Sequence, residues 1–144
     1  MGNHCFKMIM TTKQIKEILN NIFLKLLGLQ KEVEKLRLEE MARKICKEQG
    51  LNQQQENELI ATIWAESGFD PKAINKNRDG SLDIGLCQFN SYWYIFKGLI
   101  TREDALNPET AVRVMARRWK KGYARDWYGY RDGKYLAFMP KKVV

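Results

Sequence analysis

The chain has 144 residues, of which 44% are hydrophobic and 11% aromatic, a balance that excludes a disordered chain and suits one domain of ordinary size. Its formal net charge of +8 favours an anionic partner, such as nucleic acid, a membrane surface or the polymer of a bacterial wall. Three cysteines and one histidine, His4, show neither a disulfide framework nor metal-ligand spacing, so we expect no metal and no cofactor.

The N-terminus lacks the features of a secretory signal peptide. Lys7 and Lys13 flank only the short apolar run Met8-Ile9-Met10, which is too short for the hydrophobic region of a signal. The sequence also contains no run of 18 or more apolar residues, so we expect no transmembrane helix. We therefore expect synthesis in the cytoplasm without a clear signal peptide, and export, if it occurs, by another route.

A heptad pattern dominates the first part of the chain. Apolar residues follow each other at alternating steps of four and three, which predicts a helix with one apolar seam. The seam consists of Ile15, Leu19, Ile22, Leu26, Leu29, Val33 and Leu36. Two interpretations stay open: a short coiled coil that joins copies of the chain or docks a partner, and an amphipathic helix that lies on its own domain or leads into it.

Two more helices are predicted in the first half of the chain. One covers roughly residues 32–49 and stops at Gly50, because glycine readily takes the left-handed conformation after a helix. The next begins at Asn52, whose pairing with Gln55 has the spacing of a capping box. Gly68 is a natural end for this helix.

The second half combines a small hairpin with short helices. Residues 73–84 predict two strands around an Asp79-Gly80 turn. Thr101 predicts the cap of a short helix, and Asn107-Pro108 predicts the start of a longer one that Gly122 ends. The buried stripe of that longer helix is Val112, Met115, Ala116 and Trp119. The aromatic and basic segment that follows is expected to be irregular or one short helix, which makes the fold α+β and predominantly helical.

Two carboxylates are the candidates for chemistry. Glu66 lies in the last turn of its helix near Trp64 and Phe69, and both the helix C-terminus and apolar neighbours raise a carboxyl pKa. Asp83 follows seventeen residues later in a polar stretch that should keep it ionised. Carboxyls whose environments separate their pKa values suit an acid and a nucleophile in glycoside hydrolysis. The same residues also suit purely structural roles, at a helix end and in a turn.

The residues around this pair resemble a known family. Glu66-Ser-Gly-Phe and the run Asn75-Lys-Asn-Arg-Asp-Gly-Ser-Leu-Asp83-Ile-Gly-Leu-Cys-Gln-Phe-Asn90 resemble the active-site region of chicken-type lysozymes, with the Glu-to-Asp interval matching without a gap. They are also similar to the small lytic transglycosylases of bacteria and phages. The resemblance implies a lysozyme-like fold: a catalytic domain over residues 37–144 with a small hairpin subdomain, preceded by a tail and an extra helix over residues 1–36.

The resemblance also implies roles for the site residues. Glu66 would be the general acid, and Asp83 the nucleophile or the stabiliser of an oxocarbenium-like transition state. Trp127 would lie against Glu66 and desolvate it, and Trp93 would form part of a sugar platform. Hydrogen bonds to the sugars or to Asp83 would come from Asn75, Asn77, Gln88 and Asn90. The chain departs from animal lysozymes in having too few cysteines for their four disulfides, which favours a bacterial or phage enzyme.

The implied function is a peptidoglycan muramidase that cuts the β-1,4 bond between N-acetylmuramic acid and N-acetylglucosamine in the wall. A lytic transglycosylase with Glu66 as its sole acid and base is the alternative, and a non-catalytic glycan-binding protein is a remoter one. Peptidoglycan strands are therefore the expected partner. The basic C-terminal third carries no nucleic-acid motif, so no specific nucleic acid is expected. Self-association through residues 12–36 is a further expectation.

Overall fold

The computed structural model describes residues 9–141 and divides into two units, Met1–Glu34 and Lys35–Val144. The sequence features at His4, Cys5 and Met8 lie outside the described residues. The first helix, α1 (Thr12–Glu48), is continuous, so the expectation of two separate helical segments is wrong. Gly28 does not interrupt it, because one interior glycine costs a helix only about 1 kcal/mol. The predicted boundary at residue 36 stays a prediction.

The described part of the first unit consists of α1 as far as Glu34 and the few residues before it. Between residues 12 and 34 every α1 side chain is exposed, apolar ones included. The helix becomes buried only within the second unit, where Leu38, Ala42, Ile45 and Cys46 face the core. No helix within residues 9–141 combines the length and apolar character that a membrane crossing requires.

The second helix, α2 (Gln53–Ser67), positions the first carboxylate. The capping box is confirmed: the Gln55 amide donates to Asn52 Oδ1 over 2.8 Å, and the Asn52 amide donates to Gln55 Oε1 over 3.0 Å. At the other end Gly68 takes the predicted left-handed conformation with φ of 61°. Glu66 therefore lies in the last turn of a helix that is fixed at both ends.

A three-stranded antiparallel sheet follows, in the order β1 (Ile74–Lys76), β2 (Leu82–Ile84) and β3 (Phe89–Asn90). The predicted hairpin is confirmed as β1 and β2, whereas the third strand was not predicted. The register places Asp83 opposite Asn75 on one side and Asn90 on the other. This sheet therefore gathers three of the predicted site residues around its middle strand.

The loop between β2 and β3 packs against the backbone of the next helix. Gly85 has φ of 78°, and a Cβ atom there would collide with the Ala105 carbonyl oxygen. Only glycine fits this close approach, because any side chain would separate the sheet from the helices. Gly85 thus fixes how closely the second carboxylate's strand sits to the helical core.

The remaining helices are α3 (Arg102–Leu106), α4 (Pro108–Lys120) and α5 (Tyr128–Arg131), with a π-helical turn over Ser91–Ile95 and 3₁₀ turns over Ala124–Asp126 and Lys134–Phe138. The predicted caps of α3 and α4 are confirmed, since Thr101 Oγ1 and Asn107 Oδ1 each accept an amide hydrogen bond over 3.0 Å. The predicted α4 stripe is buried as well. The α+β, mainly helical fold class is thereby confirmed.

Candidate active site

A cleft of about 670 Å³ opens on the second unit and contains both carboxylates. It is bounded by the end of α2, the sheet, the π-helical turn and the segment around α5. Predicted site residues on its wall are Glu66, Asn77, Asp83, Gln88, Asn90, Trp93 and Trp127. Asn75 is the predicted site residue that does not line it. The fold thus brings together residues from four separate stretches of sequence.

Glu66 is partly buried and accepts a short hydrogen bond from the Gly129 amide, 2.6 Å from its Oε1 atom. Burial is the largest influence on the Glu66 pKa and raises it above its ordinary value of 4.5. The Gly129 hydrogen bond opposes this shift, while the negative charge of Asp83 reinforces it. A carboxyl in this environment holds its proton to higher pH than an ordinary glutamic acid, as a general acid requires.

Asp83 has the opposite kind of environment, because both of its carboxylate oxygens accept hydrogen bonds. The Asn90 amide donates to Oδ1 over 2.8 Å, and the Asn77 amide donates to Oδ2 over 3.0 Å. The side chain is therefore fixed in orientation by one donor on each side.

Ser81 connects the two amides that hold Asp83. It is only 1% exposed, and its hydroxyl accepts hydrogen bonds from Asn77 over 3.1 Å and from Asn90 over 2.9 Å. The same hydroxyl donates to Asp79 over 2.7 Å. The Ser81 hydroxyl therefore accepts two hydrogen bonds and donates one, which ties the two amides that orient Asp83 into one network.

Gln88 stabilises the loop below the sheet. It is 7% exposed and has φ of 52°, which is uncommon for a residue with a side chain. Its amide nitrogen donates to the carbonyls of Gly85 and Ala73 over 2.9 and 3.2 Å, and its oxygen accepts from Asn75 over 2.7 Å. Asn75 and Gln88 thus hold each other and the loop backbone.

Two tryptophans on the cleft wall differ in accessibility. Trp93 is 62% exposed, and the Lys97 ammonium nitrogen lies 4.2 Å from its ring centroid. Trp127 is 3% exposed and donates from its indole nitrogen to the Cys87 carbonyl over 2.8 Å. Trp93 therefore presents an exposed ring to the cleft with a lysine over it, whereas Trp127 forms part of the buried wall.

Gly129 is the site residue that sequence reasoning missed. Its amide binds Glu66, and an added Cβ atom would lie 3.1 Å from both Glu66 Oε1 and the Ala65 Cβ atom. A side chain here would therefore displace the carboxyl group. The available signal was a glycine between two aromatic residues, Tyr128 and Tyr130, which can mark a close backbone approach.

The cleft wall is rich in cations. Basic side chains on it are Arg78, Lys97, Arg118, Arg125 and Arg131. Arg118 binds Asp126 over 2.7 Å, and Tyr94 donates to the same carboxylate over 2.6 Å, so this part of the wall is structural. Within residues 9–141, no group of three or more histidine, cysteine or acidic side chains is arranged to hold a metal ion.

Comparison with known proteins agrees with this geometry. The family model of the transglycosylase SLT domain matches residues 44–125. Lysozyme C of Dromaius novaehollandiae is 54% identical over 33 residues, which are 23% of this chain and 22% of that protein. Lysozyme C-1 of Anas platyrhynchos is 49% identical over 37 residues, or 26% and 25% of the two chains.

A third relative is the sperm acrosome-associated protein 5 of Bos taurus, with 44% identity over 39 residues, 27% of this chain and 25% of that protein. The chain thus spans about a quarter of the length of the curated relatives that it matches. The predicted resemblance to lysozymes and lytic transglycosylases is confirmed.

Proposed function

The chain belongs to the transglycosylase SLT domain family, and we propose that it is a peptidoglycan-cleaving enzyme. The bond would be the β-1,4 linkage between N-acetylmuramic acid and N-acetylglucosamine. The wall is thus its proposed site of action, and its net charge of +8 suits this anionic polymer.

One observation carries the proposal: Glu66 is a desolvated carboxyl at the wall of an open cleft, with a pKa raised mainly by burial. In its neutral form it donates its proton to the glycosidic oxygen as the bond to the anomeric carbon breaks. The Gly129 amide then stabilises the carboxylate that remains, because it already points at Oε1. Glu66 is the general acid in this proposal.

The finer proposal is lysozyme-type hydrolysis, and the geometry of Asp83 supports it. A carboxylate that is oriented by Asn77 and Asn90 can stabilise positive charge at the anomeric carbon or form a covalent bond to it. Water then adds to that carbon and returns a proton to Glu66. The products have reducing muramic acid ends.

Family membership favours a second candidate, which is lytic transglycosylation. In this reaction the 6-hydroxyl of the muramic acid replaces water. It attacks the anomeric carbon, and the Glu66 carboxylate takes its proton. The product ends in a 1,6-anhydro ring, and Asp83 then serves only to hold the sheet together.

Mass spectrometry of the products separates these reactions. Purified protein is incubated with peptidoglycan, and the soluble fragments are analysed for their muramic acid ends. We expect reducing ends; anhydro ends, which are lighter by one water, would identify a transglycosylase instead. Glu66→Gln should abolish both products, because an amide cannot donate the required proton.

A third outcome distinguishes catalysis from binding. If the wild-type protein binds chitooligosaccharides and releases no fragments from peptidoglycan, the non-catalytic alternative is correct. If Glu66→Gln releases fragments as fast as the wild type, the assignment of the general acid is wrong. A melting temperature measured for the variant shows whether it has kept its fold.

A further inference from the structure

The first unit exposes a large apolar surface on α1. Nine apolar side chains between residues 15 and 29 are each 39–63% exposed. They are Ile15, Ile18, Leu19, Ile22, Phe23, Leu24, Leu26, Leu27 and Leu29. Exposed apolar patches of this extent on a folded chain mark sites of interaction with a protein or a membrane.

The apolar residues are not spread evenly around the helix. At about 100° per residue, eight of them fall within an arc about 180° wide that extends from Ile18 through Leu26 to Leu27. Leu24 is the exception and lies on the polar side. A dimeric coiled coil buries a narrower seam, so pairing along that seam leaves much of this arc uncovered. An apolar arc about 180° wide matches a flat apolar surface, which can cover the whole arc at once.

The charged side chains of this segment are arranged around the apolar arc. Residues 12–31 contain the four lysines 13, 16, 25 and 31 and one acid, Glu17, which gives 4 − 1 = +3. With the same helical spacing of about 100° per residue, Lys25 falls just outside one edge of the apolar arc and Lys16 just inside the other. Glu17 falls on the opposite side of the helix from the centre of the arc. Cations therefore border the apolar face, and the carboxylate points away from it.

We propose that residues 12–31 form an interfacial helix that binds an anionic lipid surface. The apolar arc enters the boundary between headgroups and acyl chains, and the flanking lysines reach the anionic headgroups with their ammonium groups. A helix that lies in the plane of the membrane buries the whole apolar arc and also places the bordering lysines at the level of the headgroups. A second copy of the chain that pairs along the seam covers only the seam residues.

The test is co-sedimentation of the full-length protein with lipid vesicles. One set consists of phosphatidylcholine alone, and the other combines it with phosphatidylglycerol. We expect about tenfold stronger binding to the anionic vesicles, because each lysine near an anionic surface adds attraction. This preference should weaken with added salt.

The chain offers a matched pair of variants for the face. Leu26 and Leu24 are 58% and 56% exposed, but Leu26 lies in the arc and Leu24 on the polar side. Leu26→Gln should reduce binding about tenfold, since it removes one leucine from the apolar face. Leu24→Gln should leave binding unchanged. Equal losses in the two variants would overturn the assignment of the face.

Light scattering of the same samples addresses the competing occupant. Absence of vesicle binding, together with a dimer that Leu26→Gln dissociates and Leu24→Gln does not, would assign the face to a second copy and overturn the proposal. Binding of equal strength to neutral and anionic vesicles would overturn the role of the lysines. Peptidoglycan cleavage should be normal in both variants, so this inference and the proposed activity can fail separately.

Discussion

Glu66 and Asp83 line the same cleft, yet the two carboxyl groups differ in burial and in the hydrogen bonds that they accept. Glu66, at a helix end, is partly buried and accepts one hydrogen bond, from a backbone amide. Asp83, in the middle strand of a small sheet, accepts hydrogen bonds from two side-chain amides. Desolvation raises the Glu66 pKa, whereas the two amides fix the orientation of the Asp83 carboxyl group.

The difference shows how one cleft can hold a desolvated carboxyl group beside one that is oriented by side-chain amides. Each environment follows from the element that carries the carboxyl group. The end of α2 holds Glu66 beside one hydrogen-bond donor, the Gly129 amide. The sheet region brings the side-chain amides of Asn77 and Asn90 together around Asp83. The experiments below change one environment at a time, beginning with the largest expected effect.

Asp83→Asn replaces the carboxyl group in β2 by an uncharged amide of similar size. If hydrolysis is correct, cleavage should fall by about a hundredfold, the scale of losing a preorganised electrostatic group. Fragment release measured by chromatography gives the rate, and the melting temperature gives the stability. Near-normal activity would remove Asp83 from the chemistry and leave Glu66 acting alone.

Gly129→Ala changes the environment of Glu66 at the end of α2. The added methyl group lies 3.1 Å from Glu66 Oε1 and from the Ala65 side chain, so the carboxyl group must move. We expect about a tenfold loss of activity, since small displacements at a reacting group are costly.

The pH profile of Gly129→Ala provides a second measurement. The Gly129 hydrogen bond lowers the Glu66 pKa, so weakening it raises the pKa further. Activity requires the protonated acid, so the alkaline limb of kcat/KM should move to higher pH. A limb that stays in place would mean that another group titrates there.

Asn77→Ala removes one of the two amides that hold Asp83. The remaining donor, Asn90, keeps one carboxylate oxygen in place, so the effect should be partial. We expect about a fivefold loss of activity, which corresponds to ~1 kcal/mol for one hydrogen bond. Asn75→Ala is the matched control, because Asn75 is also on the sheet but binds Gln88 and does not line the cleft. Equal losses in the two variants would indicate general damage to the sheet.

Glu66→Gln should also change stability in a pH-dependent way, and this is the smallest expected effect. Because the folded pKa is raised above 4.5, the folded state holds the proton over a range in which the unfolded chain has lost it. The wild type therefore loses stability as the pH rises from 4.5 through the raised folded pKa.

The glutamine variant has no such proton, so its melting temperature should exceed that of the wild type at neutral pH. The two melting temperatures should converge below pH 4.5. Thermal denaturation of both proteins across this range measures the difference. A constant difference at all pH values would mean that Glu66 has the same pKa in both states.

Local signals were sufficient for much of the fold. The capping box at Asn52, the glycine stop at Gly68 and the Asn107-Pro108 start each act within a few residues, so the sequence predicts them directly. The prediction of two helices in place of the continuous α1 arose because the apolar pattern changes near residue 32, although both patterns lie on one helix. The third strand was missed because residues 89–90 pair only once β2 is in place.

By itself, the sequence determined the two carboxylates, their interval and the elements that carry them, because helix ends and turns depend on neighbouring residues. Only the tertiary structure decided the environments. Gly129 reaches Glu66 from 63 residues away, and Gly85 sets the approach of the sheet to Ala105. Hydrogen bonds and burial between distant segments leave no periodic trace in a sequence. The desolvation of Glu66 and the fixed orientation of Asp83 therefore arise from packing that only the folded chain brings about.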